Sequence, residues 1–386
     1  MRTSNGERIH IAIFGNTNSG KSTLINYLTD QDTSIVSETH GTTTDPINKA
    51  MEIHGLGPVL FIDTAGINDK TDLSDKRVAK SLDVLDKADI FLYVLSLEDD
   101  LSFVDKLKAQ DKPIIYIAPK QDLDEGKEIL EKFKDINPIA INNKSDDRYK
   151  LFEKLTDVFK QNKLDDKKPS ITGKLVKASD TVVLVMPQDK AAPKDRLIKP
   201  QVMTIRELID KDATCISTSL ENFENSLEKL KNPPDLIITD SKVFADVYKL
   251  KPKESRLTSF SVLMSAFKGD VDYFIESVKV LDNKIDNILI AEVCTHPPIE
   301  EDIGTVKIPK MLRAKFPYVN IDFARGEDFS DIEKYDLIIE CGSCMFNRAS
   351  VMSRVKKCKE KGIPMTNYGI TIAYLKGILD KVDYQA

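Results

Sequence analysis

Short apolar runs alternate with amphipathic stretches along the first part of the chain. The first run, IHIAIFG at residues 9–15, is continuous, which is typical of a strand buried on both faces. It leads into a glycine-rich turn, and KSTLINYLTD then repeats its apolar residues with a helical period. Further strands are predicted at residues 59–63, 90–95, 114–118 and 139–141, with helices at 75–88 and 126–134. This alternation predicts a mainly parallel sheet with helices on both faces.

A charged, proline-bearing stretch, KLDDKKPS at residues 163–170, interrupts the pattern and indicates a linker. The alternation then resumes in two further blocks. Their predicted strands lie at residues 181–187, 215–219, 235–240, 287–294, 319–324 and 336–341, and their predicted helices at 196–212, 221–231 and 349–362. We therefore expect an α/β protein with three domains, at residues 1–163, 171–255 and 256–386.

Composition limits the classes of function. With 386 residues and 41% hydrophobic content, the chain can form two or three cores. It begins with polar residues and has no apolar run of the roughly 18–20 residues that a bilayer span needs, so we expect a cytoplasmic protein without a membrane partner. The net charge is -6 with both signs interspersed, which disfavours nucleic acid as a partner.

Residues 15–22, GNTNSGKS, match the phosphate-binding pattern G-x-x-x-x-G-K-S/T between a predicted strand and a predicted helix. The two glycines let successive backbone N–H groups approach a phosphate at the positive end of a helix. Lys21 is expected to bridge the β- and γ-phosphates, and the Ser22 hydroxyl to bind magnesium. The predicted nucleotide contacts in this loop are Gly15, Asn16, Asn18, Ser19, Gly20, Lys21, Ser22 and Thr23.

Two further segments stand where a nucleotide-hydrolysing domain needs them. The first is DTAG at residues 63–66, where Asp63 ends a strand and can hold magnesium through water, and Gly66 can offer its N–H to the γ-phosphate. The second is GTTTD at residues 41–45, a polar loop in which one threonine is expected to close over magnesium.

With these motifs, residues 8–160 resemble the GTPases of the Era and TrmE type. The resemblance implies that Thr43 is the threonine ligand of magnesium. It also implies that Asn18 binds a potassium ion beside the phosphates. Ile67 follows DTAG where Ras-like proteins carry a water-orienting glutamine, so slow intrinsic turnover is expected. The hypothesis is magnesium-dependent, potassium-stimulated GTP hydrolysis with Lys21, Ser22, Thr43, Asp63 and Gly66 as the catalytic set.

The guanine-recognition segment departs from the usual N-K-x-D pattern. The chain has Pro119, Lys120, Gln121 and Asp122 there. Asp122 can accept hydrogen bonds from guanine N1 and N2, and the Lys120 stem can cover the base. Proline removes an amide that usually ties this loop to the base and to the phosphate loop, so guanine preference should survive with lower affinity. The last loop of the nucleotide site matches weakly at Asn142, Asn143 and Lys144, where an ordinary turn is an equal alternative.

Five cysteines in a chain without a secretion signal suggest reduced thiols. Cys294 and His296 form C-x-H, and Cys341 and Cys344 form C-x-x-C. Both segments follow an apolar strand, and parallel strands bring their carboxyl ends to one edge of the sheet. The sequence therefore predicts a metal site of three thiolates and one other ligand. The remaining cysteines, Cys215 and Cys358, are expected to serve packing.

Zinc and an iron–sulfur cluster both fit three thiolates. His296 and Glu340 are the candidates for the fourth ligand. The alternative is that the cysteines are buried and unligated.

A nucleotide-binding domain joined to this cysteine arrangement resembles the HydF family of FeFe-hydrogenase maturation GTPases over essentially the whole chain. The family pattern is C-x-H, a spacer, then H-C-x-x-C, and Glu340 stands here in place of the second histidine. The resemblance implies a 4Fe–4S cluster, a central dimerisation domain and a homodimer. It further implies a scaffold that assembles a di-iron precursor and passes it to apo FeFe-hydrogenase, with radical-SAM maturases as partners.

Two other functional classes remain as alternatives. The first is a ribosome- or tRNA-directed GTPase with a structural zinc site, which the acidic balance of the chain and the absence of a basic, aromatic RNA-binding segment disfavour. The second is a plain nucleotide hydrolase with no carrier role.

Overall fold

The computed structural model describes most of the chain. The described residues are 6, 8–29, 47–64, 66–67, 84–142, 148–162, 170–187, 197–292, 302–325, 329, 331–342 and 346–384. They fall into two compact units, Met1–Lys167 and Lys168–Ala386. Several predicted site residues lie outside the described residues: Thr43, Asn143, Lys144, Cys294, His296 and Cys344.

The first unit is built on a six-stranded sheet in the order β2-β3-β1-β4-β5-β6. Its strands are β1 (Ile9–Gly15), β2 (Ile47–Ile53), β3 (Gly57–Asp63), β4 (Ile90–Val94), β5 (Ile114–Ala118) and β6 (Ile139–Ala140). The α-helices that lie wholly within its described residues are α1 (Lys21–Thr29), α2 (Ser102–Lys108), α3 (Asp124–Lys132) and α4 (Arg148–Gln161), and residues 84–87 are also helical. The fold class is therefore the predicted α/β class, and the strands predicted from apolar runs are confirmed.

Strand β1 shows why this sheet is covered on both faces. Ile11 and Ile13 pack into one hydrophobic cluster together with residues of α1 and α4. Ala12 and Phe14 point the other way, into a second cluster that includes residues of α2 and α3. Since side chains alternate across a strand, a continuous apolar run supplies both cores.

Strand β2 is a difference from the sequence pattern. It pairs antiparallel with β3, whereas the other pairs of this sheet are parallel. The sequence INKAMEI mixes polar and apolar residues, which fits a strand at the edge of the sheet better than a doubly buried one. The sequence pattern does not predict this strand, because a continuous apolar run indicates only a strand that is buried on both faces.

The second unit contains two parallel four-stranded sheets, in the orders β10-β9-β7-β8 and β12-β11-β13-β14. The strands of the first are β7 (Thr181–Val185), β8 (Thr214–Thr218), β9 (Leu236–Thr239) and β10 (Arg256–Ser259). The strands of the second are β11 (Asn287–Glu292), β12 (Asn320–Arg325), β13 (Leu337–Glu340) and β14 (Met365–Asn367). The helices are α5 (Lys199–Asp210), α6 (Phe223–Glu228), α7 (Phe244–Leu250), α8 (Phe260–Lys268), α9 (Val271–Val278), α10 (Ile308–Lys315), α11 (Arg348–Lys361) and α12 (Tyr368–Leu375).

These two sheets share one hydrophobic cluster, which contains Val183 and Ile237 from one sheet and Ile288 and Ile338 from the other. The domain boundary expected at residue 256 falls at the first residue of β10, which pairs with β9. The sheet that begins at β7 therefore extends past that boundary. No helix among the described residues is long and apolar enough to cross a membrane.

Candidate functional site

The phosphate-binding loop joins β1 to α1 with the backbone that its glycines allow. Gly15 has a φ of 150°, and a Cβ added there would overlap the carbonyl oxygen of Val94 in the neighbouring strand. Asn18 adopts a left-handed φ of 62°. Leu24 N donates to Gly20 O at 2.8 Å, so the helix begins directly after the loop. The helix N-terminus and the preceding loop N–H groups thus form the anion-binding arrangement that the sequence predicts.

Lys21 is buried within this loop. Its Nζ donates to the carbonyl oxygens of Gly15 at 3.1 Å and Asn16 at 2.8 Å. Burial lowers the pKa of Lys21, while the negative charges of Asp63 and Asp99 act in the opposite direction. The ammonium is therefore positioned by backbone oxygens at the loop, where a phosphate would compensate its charge.

The predicted magnesium ligands Ser22 and Asp63 lie in contact. Ser22 Oγ donates to Asp63 Oδ2 at 2.7 Å, although the two residues are far apart in sequence. Burial raises the pKa of Asp63, with hydrogen bonding from Ser22 and the charge of Lys21 opposing it. The other carboxylate oxygen, Oδ1, is buried and has no hydrogen-bond partner among the residues that the structure describes. A buried carboxylate oxygen beside a serine hydroxyl fits the oxygen-ligand preference of Mg2+.

The segment after Asp63 packs directly on the phosphate-binding loop. A Cβ on Gly66 would overlap Thr17, and Ile67 N donates to Gly15 O at 3.3 Å. Glycine is therefore required at position 66 by close packing, and its placement next to the loop fits the predicted γ-phosphate contact.

Asn16 and Asp99 form a buried pair that the sequence did not reveal. Asn16 Nδ2 donates to Asp99 Oδ1 at 2.5 Å and to Ser96 Oγ at 3.1 Å. Asp99 also accepts from Tyr93 Oη at 3.1 Å and from Ser96 N at 2.6 Å. The Asn16 side-chain amide thus fastens the loop to the segment after β4.

The guanine-recognition segment lies between β5 and α3. Lys120 has a left-handed φ of 58°, and its Nζ donates to both carboxylate oxygens of Glu125, at 2.8 and 3.0 Å. Asp122 is exposed, as a base-reading carboxylate must be. Asn142 directly follows Ile141, whose N donates to Ala118 O at 2.9 Å, so the last predicted loop begins beside the guanine segment.

The cysteine segments begin at one edge of the second unit. Strands β11 and β13 are parallel neighbours, with Ala291 paired to Glu340. Cys341 follows directly, and its N donates to Ala291 O at 2.9 Å. Cys341 is buried, and it forms no disulfide with the other described cysteines, Cys215 and Cys358. Among the described residues, no group of three or more His, Cys, Asp or Glu side chains is placed to hold a metal ion.

Glu340, a candidate fourth ligand, has a buried partner in the structure. Its Oε1 accepts from Arg354 Nη1 at 2.9 Å, with the two side chains 1% and 9% exposed. The Arg354 guanidinium also stacks between Phe329 and Phe346, at 4.7 and 4.8 Å from the ring centroids. Glu340, which directly precedes Cys341, is therefore held in a buried ion pair.

Glu292 and Tyr368 at this edge were not predicted. Tyr368 Oη donates to Glu292 Oε1 at 3.1 Å, and a Cβ on Gly304 would overlap both groups. Burial raises the pKa of Tyr368, and the charges of Glu292 and Cys341 add to that effect. A tyrosine hydroxyl and a carboxylate are thus hydrogen-bonded to each other at this edge.

Family models match most of the chain. The model of the hydrogen maturase F dimerization domain matches residues 171–269, and that of the hydrogen maturase F tetramerization domain matches residues 272–383. Together these matches cover more than half of the chain. The chain belongs to the hydrogen maturase F family. A third model, described as 50S ribosome-binding GTPase, matches residues 10–123. The predicted membership in this family and the predicted P-loop GTPase domain are both confirmed.

Individual relatives of this hydrogen maturase F chain match part of it. The tRNA modification GTPase MnmE of Pelagibacter ubique is 43% identical over 124 residues, which is 31% of this chain and 28% of that protein. MnmE of Treponema denticola is 36% identical over 170 residues, 39% of this chain and 35% of that protein. The chain thus spans roughly a third of the length of these curated relatives. A solved structure, Aquifex aeolicus Era bound to GDP and AlF4-, is 17% identical with a TM-score of 0.32 and covers 54% of this chain and 92% of its own.

Proposed function

We propose that this hydrogen maturase F chain is a GTP-hydrolysing scaffold that carries a 4Fe–4S cluster. On the scaffold a di-iron precursor is assembled and then transferred to apo FeFe-hydrogenase. The chain works in the cytoplasm, as a homodimer or larger oligomer, with radical-SAM maturases as its partners. The descriptions of the two matched family domains support an oligomer.

For the nucleotide half, the contact between Ser22 and Asp63 is the supporting observation. These two residues bind Mg2+, with Thr43 as a further ligand. Lys21 neutralises charge on the β- and γ-phosphates, and the Gly66 N–H positions the γ-phosphate. Asn18 binds K+, which supplies positive charge between the phosphates. A steady-state assay of phosphate release in potassium and in sodium tests this role, and equal turnover in the two salts would remove Asn18 from it.

For the cluster half, the register of β11 and β13 carries the proposal. Neighbouring strands lie about 4.8 Å apart, and the pairing of Ala291 with Glu340 puts Glu292 beside Cys341. Cys294 is two residues beyond Glu292, and two residues of chain span at most about 7 Å. Covalent geometry therefore keeps the Cys294 backbone within about 12 Å of Cys341, and Cys344 is three residues from Cys341. Both segments thus stay close enough to Cys341 for the three thiolates to converge on one cluster.

The fourth ligand is proposed to be His296. Glu340 was the other candidate, but its carboxylate is committed to Arg354 in a buried ion pair. If the Glu340 carboxylate bound the cluster instead, the Arg354 charge would be left buried without its partner, which costs several kcal/mol. When bound, the cluster supplies an iron with an exchangeable position at which a bridging ligand can dock.

Anaerobic reconstitution with iron and sulfide tests the cluster half. We expect a brown protein with about four irons per chain and the EPR signal of a reduced 4Fe–4S cluster. His296→Ala should alter that signal, whereas Glu340→Gln should leave it unchanged. A colourless protein that binds one zinc instead would favour the alternative, a ribosome- or tRNA-directed GTPase with a structural zinc site.

A further inference from the structure

The guanine-recognition segment is fastened by a side chain that the usual N-K-x-D pattern leaves unspecified. Gln121 Nε2 donates to the carbonyl oxygen of Gly126 at 2.8 Å. It also lies 3.3 Å from the carbonyl oxygens of Ala118 and Pro119. One amide group thus connects the end of β5 to the first turn of α3, across the base of the loop.

The loop needs such fastening because its backbone is unfavourable. Lys120 is a non-glycine residue with a left-handed φ of 58°, a conformation that persists only where the surroundings enforce it. Leu123 N donates to Lys120 O at 2.9 Å and closes a tight turn. On the other side of this carbonyl, a Cβ on Gly126 would overlap Lys120 O. The segment is therefore tightly folded, and the Gln121 amide contacts both of its ends.

Gln121 also directly precedes the residue that reads the base. The backbone N–H of Gln121 donates to Ile141 O at 3.4 Å, which places the loop beside the end of β6. The exposed carboxylate of Asp122 must come within about 2.7–3.2 Å of guanine N1 and N2 to accept their hydrogen bonds. The direction in which residue 122 leaves the loop therefore decides whether guanine is favoured over adenine.

We propose that Gln121 is a positioning residue for guanine specificity, which compensates for the proline at position 119. In the usual pattern an asparagine side chain at that position fixes the loop. Here Pro119 has no such group, and the Gln121 amide fixes the same loop from within, by binding carbonyl oxygens on both of its ends. This inference rests on the proposed binding of guanine nucleotides.

The test compares the affinities of the full-length protein for GDP and ADP by isothermal titration calorimetry. Gln121→Ala should raise the Kd for GDP about tenfold and change the Kd for ADP by less than about twofold. Gln121→Glu keeps the size of the side chain but places a carboxylate oxygen against the carbonyl oxygens. It should therefore also raise the Kd for GDP. The matched control is Gln161→Ala at the exposed end of α4, which should bind both nucleotides like the wild type.

A rescue variant separates positioning from general damage. In Gln121→Ala, the second substitution Pro119→Asn restores an amide at the usual position and should recover most of the lost preference for GDP. Partly unfolded protein lowers the active fraction for both nucleotides equally, so the ratio of the two Kd values is informative even for a less stable variant.

Two results overturn the inference. One is a ratio of the Kd for GDP to the Kd for ADP that is the same in Gln121→Ala as in the wild type. The other is an equal loss of affinity for both nucleotides that Pro119→Asn does not restore. Wild-type protein that binds no guanine nucleotide would instead overturn the proposed GTPase function, and this inference with it.

Discussion

Each of the two units carries a candidate site where parallel strands end, but the sequence encodes the two sites in different ways. The phosphate-binding loop is one contiguous stretch, residues 15–22, in which the backbone itself is the binding group. The cysteine edge combines segments that follow two separate strands, β11 and β13. A contiguous site requires correct local conformation, whereas a divided site requires correct strand register, because a register slip would separate its ligands.

The charged side chains at the phosphate-binding loop and at the cysteine edge also differ in how they are paired. In the nucleotide unit, Lys21 is buried and the nearby Asp63 is half-buried, and burial lowers the pKa of the first and raises that of the second. At the cysteine edge, the buried charges of Glu340 and Arg354 are paired with each other beneath the thiol. Lys21 and Asp63 are therefore suited to bind charged ligands, a phosphate and a metal ion. Glu340 and Arg354 neutralise each other and stabilise the end of β13.

The largest predicted effect is loss of the cluster in Cys341→Ala. Because we propose that this thiol anchors the divided site at the end of β13, reconstituted protein should lose its visible absorption and most of its iron. GTP hydrolysis should continue, since the contiguous site is in the other compact unit. The matched control is Cys358→Ala, a buried cysteine of α11 that should keep the cluster. Normal iron content in Cys341→Ala would show that the cysteine edge is not the cluster site.

The reciprocal substitution is Lys21→Ala in the contiguous site. Removing the cation that we propose to contact the phosphates should reduce the kcat for GTP by about a hundredfold to a thousandfold. Iron content and the EPR signal should stay unchanged. Lys127→Ala, which removes an exposed lysine of α3, is the control. Turnover within a factor of about ten of the wild type would contradict the proposed phosphate contact.

Breaking the ion pair beneath the thiol is the next largest effect. Glu340→Ala leaves the Arg354 guanidinium buried without its carboxylate and should lower the free energy of unfolding by about 3 kcal/mol. Arg354→Ala should have a similar cost, since the carboxylate is then left alone. Urea unfolding of the apoprotein measures both, with exposed Glu360→Ala as the control. A neutral Glu340→Ala would mean that the carboxylate is free to serve as a ligand.

The same contrast explains what could be predicted from the sequence. Lys21, Ser22 and the glycines of the loop were predicted because their spacing within one stretch specifies their chemistry. Asp99 was not, since it contacts Asn16 from 83 residues away and nothing in the run LSLEDD singles it out. Long-range partners of this kind depend on which strands become neighbours, and that information is spread over the whole core.

Strands show the same limit. Doubly buried strands such as β4 were predicted from their apolar runs. The antiparallel β2 and the three-residue β14 were not, because partly polar or very short segments give no periodic signal. In the guanine segment, the sequence showed that Pro119 departs from the pattern, but only the structure shows Gln121 bound to carbonyl oxygens on both ends of the loop.

Asp99→Ala is expected to weaken the contiguous site without removing any of its ligands. Without the carboxylate, the Asn16 side chain loses its 2.5 Å partner and the loop loses a connection to the segment after β4. The Kd for GTP should rise about tenfold. The adjacent Asp100→Ala is the control, because its exposed carboxylate accepts from Ser102 N and does not face the loop. Equal affinities for GTP in the two variants would show that the loop keeps its shape unaided.

The smallest predicted effect concerns the start of the second unit, where Glu207 of α5 fastens the chain before β7. Its carboxylate accepts from Ile171 N at 2.6 Å, Thr172 N at 2.8 Å and Ser170 Oγ at 2.7 Å. Burial acts to raise the pKa of Glu207, but these hydrogen bonds outweigh it and the net pKa is lowered. A lowered folded-state pKa stabilises the fold above the ordinary glutamate range, and this contribution is lost as the pH falls through the lowered value.

Glu207→Gln should therefore lower the free energy of unfolding by about 1 kcal/mol at neutral pH, a modest value because the carboxylate is partly solvated. The difference from the wild type should shrink as the pH falls below the ordinary glutamate range, since the wild-type carboxylate then becomes protonated. Urea unfolding at neutral and at acidic pH measures this difference, with the exposed Glu224→Gln of α6 as control. A difference that stays constant across this range would mean that the side chain contributes through packing and not through its charge.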